Sequence, residues 1–204
     1  MDYLMLIDRF YPIPGEVLSG LRFGEAGGVI MKEQAARQLG LMLSKARGDG
    51  VAIKALSGYR SPEYQEKLRR EDTARRIAEG LSPEEAAAQT DRYLARPLCS
   101  EHNSGLAVDL CTPSADDTED DFFLTPQAKW LCRNAHRFGF ILRYPRMKEH
   151  ITGIAYEPWH YRYVGTEAAS LIHQSGLCLE EFLHFYADEF SFEGLRGRMT
   201  KNEP

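Results

Sequence analysis

Apolar residues at Ala35, Leu39, Met42, Leu43 and Ala46 recur at helical spacing, which predicts a helix over 31–47 with Gly48 and Gly50 as its stop. Three more helices are marked by their starts. Ser61-Pro62-Glu63, Ser82-Pro83-Glu84-Glu85 and Thr125-Pro126 each set a capping hydroxyl before a proline. They predict helices to about Ile77, over roughly 83–95, and across "PQAKWLCRNAHRF" as far as Gly139. A last helix is expected over roughly 178–189. Short apolar runs predict strands at "YLMLI" (3–7), "VAIKALSG" (51–58), Leu106-Ala107-Val108, "FILRYP" and "WHYRYVG". In the last of these, alternation puts Trp159, Tyr161 and Tyr163 on one face and His160, Arg162 and Val164 on the other. Helices and strands interleave without βαβ regularity, so an α+β fold is expected.

At 204 residues the chain is long enough for one well-packed domain, expected to span 1–204. A net charge of −5 with no basic block argues against nucleic-acid binding. No apolar run approaches a membrane span. The opening "MDYLMLIDRFYPIPGE" lacks a basic n-region and a small-residue cleavage site, so no signal peptide and a cytoplasmic location are expected. Cys99, Cys111, Cys132 and Cys178 form no C-x-x-C pair, which excludes a cysteine zinc site and predicts free thiols. The acidic tract "DDTEDD", 116–121, lacks the glycine and ligand spacing of an EF-hand and reads as a solvated loop.

Against this ordinary background, "CSEHNSGLAVDL" stands out. Its apolar run leads straight into the carboxylate of Asp109, and a charge entering a core needs a partner or a metal. His102 and Asp109 are an odd seven residues apart, so only a bend at Ser104-Gly105 would let both face one point. In "YEPWHYRYVG", Pro158 would do the same for Glu157 and His160. Two histidines, one aspartate and a spare glutamate match a catalytic zinc site, with three protein ligands and one position left for water. Glu157 suits the general base better than a fourth ligand, because a closed site has no water to activate. "SGYRSPEYQ" adds Arg60 at a strand exit, where a guanidinium could hold a carboxylate or an oxyanion. Each residue alone has a bland alternative: a histidine satisfied in a core, an arginine in a surface salt bridge.

The stretches "SGYRSPEYQ", "SEHNSGLAVDL" and "GFILRYPRMKEHITGIAYEPWHYRYVG" together resemble the VanY-type zinc D,D-peptidases, over roughly residues 3 to 165. Within that group the chain also resembles the cytosolic, bifunctional VanXY type. The resemblance implies a small central antiparallel sheet with flanking helices, as in hedgehog domains and D,D-peptidases. It implies Zn2+ held by His102, Asp109 and His160, with Glu157 as general base and Arg60 polarising the scissile carbonyl. It sets Gln65 and Ser100 against the C-terminal end of the peptide. The implied substrates are peptidoglycan precursor peptides ending in D-Ala, with the D-Ala-D-Ala dipeptide second. Segment 66–98 varies in such families and leaves the lid of the pocket undefined.

Serine D,D-peptidase chemistry has no S-x-x-K, S-D-N or K-T-G motif to rest on. A non-catalytic zinc-bearing module would need neither Glu157 nor Arg60. An L,D-carboxypeptidase trimming tetrapeptides would use the same residues, and stereochemical choice depends on pocket shape.

Overall fold

The structure, a computed structural model, describes residues 3–186. The chain opens with an irregular arm and a one-turn helix α1 (Gly15–Ser19). A hairpin of β1 (Phe23–Ala26) and β2 (Val29–Lys32) follows, joined by Gly27 and Gly28, both at positive φ. Such a two-residue turn matches the twist of paired strands and favours glycine.

Helix α2 (Glu33–Gly48) carries the predicted stripe, with Ala35, Leu39, Met42 and Ala46 fully buried. Strand β3 (Lys54–Ser57) then leads to α3 (Pro62–Ala78) and α4 (Pro83–Thr90). Ser61 caps α3 by accepting from the Tyr64 amide, and Ser82 with Glu85 forms a capping box on α4. The segment 66–98 is thus mostly a helical hairpin. Asp72 of α3 pairs with Arg76 and accepts from Thr90 of α4, and Arg69 reaches Asp91 beyond it. Helix α4 ends at Thr90, five residues short of the sequence expectation; Tyr93 and Leu94 instead turn back on Thr90.

Strand β4 (Ala107–Cys111), helix α5 (Pro126–Asn134), strand β5 (Phe140–Leu142), the short α6 (Glu149–Thr152), strand β6 (His160–Tyr163) and helices α7 (Thr166–Ser175) and α8 (Leu179–Tyr186) complete the described chain. Four strands form an antiparallel sheet in the order β3-β4-β6-β5. The α+β class and the small central sheet are as expected from the sequence.

The faces of β6 separate as the alternation predicts. Trp159, Tyr161 and Tyr163 join the main core with Val108, Leu110, α2 and α5. Ile141 and Val164 pack on the other face with α7, α8, Leu4 and Leu6. That second face also carries Asp109, His160 and Arg162, so the sheet places polar chemistry beside an apolar cluster. "YLMLI" is not a strand. Arg162 donates to the carbonyls of Tyr3 and Met5 at 2.9 Å, and this side chain takes the place of a sheet neighbour. The last expected helix is present as α8 to Tyr186; its expected end lies outside the described residues.

Candidate active site

Asp109 sits in the middle of β4, opposite Ser57 on β3 and His160 on β6, so three neighbouring strands present one row of polar side chains. His102 arrives from a different direction. It lies on a 3-10 turn, Glu101–Ser104, closed by Gly105 at φ +70°. A Cβ at Gly105 would also stand 2.8 Å from the Lys32 backbone nitrogen, so no other residue fits this bend without displacing β2. This is the bend that the spacing of seven required.

His102 Nδ1 lies 2.6 Å from the Gly58 carbonyl and donates to it, which leaves Nε2 as the lone-pair nitrogen. Nε2 faces Asp109 Oδ2 at 3.3 Å. On the opposite side, His160 Nδ1 is 3.3 Å from Asp109 Oδ1 and 3.4 Å from Glu157 Oε2. The two imidazoles meet edge to face, with centroids 4.9 Å apart. One donor atom from each of His102, Asp109 and His160 falls within 4.8 Å of the others.

All three are buried, and Asp109 Oδ1 has no hydrogen-bond partner. A buried carboxylate oxygen left without a hydrogen bond beside the His160 ring is costly unless a cation takes it. Two imidazole nitrogens and one carboxylate oxygen are the donors of an open zinc site, so these residues fit Zn2+.

Glu157 enters from the turn before β6, its amide donating to the Tyr144 carbonyl. It is 4% exposed. Burial pushes its carboxyl up to about 8, with His160 pulling down and the Asp109 charge adding to the rise. His160 resists burial, because Asp109 and Glu101 hold its imidazolium and raise it to about 9. Burial and the nearby Arg60 lower His102. Asp109 is held well below the usual carboxylate range; burial opposes this, and His102 and Arg60 outweigh it.

Arg60 is brought to the same point. Its Nη2 donates to Asp109 Oδ2 at 2.5 Å and its Nε to Ser57 Oγ at 2.8 Å. Asn103 fixes the Arg60 backbone by donating to its carbonyl. The side chain is no surface salt bridge, being 13% exposed. Gln65, in the first turn of α3, is buried; its Nε2 donates to the Ala95 carbonyl and its Oε1 has no partner. Ser100 is buried and lines the same cleft as the His-Asp-His cluster.

All seven residues line one cleft of about 960 Å³. Helix α3 and the turn at Tyr93–Ala95 form one wall, and Asp116, Asp117 and Asp120 of the acidic tract contribute to its lining. The tract is largely exposed, as expected, with Asp116 paired to Lys54. Sequence reasoning missed Glu101, which is fully buried against Arg143 and Arg162 behind His160. A signal was present: Arg162 shares the His160 face of the strand, and a buried arginine requires an acid.

Residues 28–166 match the family model described as VanY, D-alanyl-D-alanine carboxypeptidase. A D-alanyl-D-alanine carboxypeptidase of Enterococcus faecalis is 40% identical over 184 residues, covering 89% of this chain and 65% of the relative. The chain therefore spans about two thirds of that protein's length. The bifunctional D-Ala-D-Ala dipeptidase and carboxypeptidase VanXYC of Enterococcus gallinarum is 33% identical, with 92% of this chain and 96% of the relative covered. Among solved structures, a vancomycin-resistance D,D-pentapeptidase VanY in complex with Zn(II) superposes with a TM-score of 0.79 at 39% identity, covering 89% and 98% of the two chains. VanYB in complex with D-alanine-D-alanine gives a TM-score of 0.80 at 39% identity, covering 89% and 97%. The chain belongs to the VanY D-alanyl-D-alanine carboxypeptidase family.

Proposed function

We propose that the chain is a zinc-dependent D-alanyl-D-alanine carboxypeptidase that removes the terminal D-Ala from peptidoglycan precursor pentapeptides. The observation that carries this reading is the contact of Glu157 with the nitrogen that His160 offers to a metal, at 3.4 Å inside a buried His-Asp-His cluster. A metal site needs no such neighbour, whereas a hydrolase needs a base beside its water. His102 Nε2, Asp109 and His160 Nδ1 are the proposed ligands. A zinc ion bound there supplies Lewis acidity, which brings water to a pKa of about 7 and polarises a carbonyl.

The chain's own groups do the rest. Glu157 takes the proton of the attacking water and returns it to the amine of the leaving D-alanine. Arg60, already beside Asp109, stabilises the developing oxyanion. Gln65 and Ser100 hold the C-terminal end of the peptide; the unpartnered Oε1 of Gln65 in the cleft is an acceptor and would take the N–H of the terminal residue, not its carboxylate.

The Zn(II) and D-alanine-D-alanine bound in the two superposed structures and the bifunctional character of VanXYC support zinc, D-Ala-D-Ala ends and an accompanying dipeptidase activity. The same reading takes residues 1–204 as one domain and places it in the cytoplasm. Four unpaired cysteines are in keeping with a reducing compartment, and no helix among the described residues is long and apolar enough to cross a membrane.

Mass spectrometry of the zinc-loaded protein with D-Ala-D-Ala, pentapeptide and tetrapeptide tests the proposal. Release of the terminal D-Ala from the pentapeptide, with slower dipeptide cleavage, is expected. Loss of alanine from the tetrapeptide beside an untouched pentapeptide would replace it with the L,D reading.

A further inference from the structure

Behind the metal-ligand cluster lies a buried ionic assembly that the hydrolytic chemistry does not use. Glu101 has a fully buried side chain, and its Oε1 accepts from Arg143 Nε and Arg162 Nη1, each at 2.7 Å. Neither guanidinium is free to turn. Arg143 gives its other two nitrogens to the Glu180 carboxylate on α8, at 3.0 and 2.7 Å. Arg162 is spent on the carbonyls of Tyr3, Met5 and Tyr163. One oxygen of Glu101 is therefore pinned, which fixes the direction of the other.

That other oxygen, Oε2, points to His160 Nε2 at 3.7 Å. Both atoms are buried, and neither has a hydrogen-bond partner. Two such orphans facing one another are a donor and an acceptor waiting for about 0.8 Å of approach. Meanwhile the opposite nitrogen of the ring, Nδ1, faces Asp109 and Glu157. The ring thus stands between a backing carboxylate and the ligand cluster. His102 has the mirror arrangement, with Nδ1 backed by the Gly58 carbonyl and Nε2 facing the cluster.

We propose that Glu101 is the positioning residue that fixes His160 as an Nδ1 metal ligand, with Arg143 and Arg162 holding it in place. A ligand histidine backed by a carboxylate is set in one tautomer and becomes a stronger donor. The inference rests on His160 being a metal ligand. Its chemical content is narrower: the Nε2 proton belongs to Glu101 and the Nδ1 lone pair to the cation.

Histidine labelled with ¹⁵N in the zinc-loaded wild-type protein reads this directly. Long-range ¹H–¹⁵N correlation should show His160 with Nδ1 on the metal and a slowly exchanging proton on Nε2, and His102 with the reverse pattern. A His160 bound through Nε2 would overturn the proposal and leave the zinc site standing; a wild-type protein that takes up no zinc would overturn the site itself. The variant E101Q offers the second reading. Its amide has one acceptor oxygen, which two arginines claim, so its NH2 meets the Nε2 proton donor to donor. Zinc affinity measured by chelator competition should fall roughly 10–100-fold. The control E181Q breaks the Lys148 ion pair one residue further along α8, outside the Glu101 assembly, and should keep wild-type zinc affinity while the melting temperature falls. Equal zinc affinity in E101Q and wild type would reduce Glu101 to a packing role. If E101Q does not fold, the wild-type spectrum decides alone.

Discussion

Asp109 and His160 face each other across β4 and β6 as a register pair, with Oδ1 3.3 Å from Nδ1. Backbone pairing alone therefore brings two of the three proposed ligands together, and only His102 has to be delivered by a turn. His102→Ala should leave the sheet intact and remove most of the zinc. Metal analysis of the purified variant checks this: about one zinc per chain in wild type and well below that in the variant.

Glu157→Gln separates base from ligand. The amide keeps the shape of the carboxylate and cannot take a proton, so zinc content should be unchanged and turnover should fall roughly 10²–10⁴-fold. Parallel measurement of kcat and bound zinc is decisive, because loss of zinc in this variant would make Glu157 a ligand.

The charges of the cluster predict a distinct pH behaviour once zinc is stripped by a chelator. His160 rises from its ordinary value of 6.5 to about 9, and Glu157 from 4.5 to about 8. Both groups bind protons more tightly in the folded than in the unfolded chain; His102, lowered from 6.5, has the opposite sign but only below that value, so stability falls as pH rises from about 6.5 to about 9. Between these limits the stripped protein should melt progressively lower. Zinc must displace the proton on His160 Nδ1, so at pH 7 its binding should release protons, and affinity should climb toward pH 9. Calorimetry in buffers of different ionisation enthalpy counts those protons, and a count of zero would refute the assignment of charge.

Much of this site was legible because its residues violate local expectation. Asp109 ends an apolar run, Gly105 allows a bend of odd spacing, and Pro158 breaks the strand before His160. Capping hydroxyls at Ser61, Ser82 and Thr125 marked three helix starts, which depend only on local chemistry. What escaped depends on distant partners. The arm at 3–7 has a strand's composition, but its carbonyls go to Arg162, and no local rule foretells that pairing. Glu101 reads as an ordinary polar residue until Arg143 and Arg162 converge on it from two strands or their ends. The β1–β2 hairpin was signalled by Gly27-Gly28 between short apolar stretches, a turn motif that could have been read.

Arg60 touches Asp109 and Ser57 already, so removing it tests charge rather than access. Arg60→Ala should lower kcat by more than it raises KM, at a cost of roughly 3–4 kcal/mol in the transition state. Steady-state kinetics on the pentapeptide separates the two parameters. An effect confined to KM would make Arg60 an anchor for the substrate carboxylate.

Gly58 joins the β1–β2 hairpin to the proposed metal-ligand cluster, and its substitution should report on both. A Cβ at this position would stand 2.3 Å from the Ile30 carbonyl oxygen, which is backbone and has no rotamer to change. Tyr59 donates its amide to that same carbonyl at 2.6 Å, so β2 cannot retreat without losing the bond. The Gly58 carbonyl is also what orients His102 through Nδ1. Gly58→Ala should therefore force the strand and the ligand apart together. Overpacking of this kind costs roughly 1–3 kcal/mol, and a disturbed backing group typically weakens metal binding roughly 10–100-fold. Chemical denaturation of the zinc-stripped protein measures the first effect and chelator competition the second. A variant that loses stability but binds zinc as tightly as wild type would show that His102 holds its orientation without Gly58.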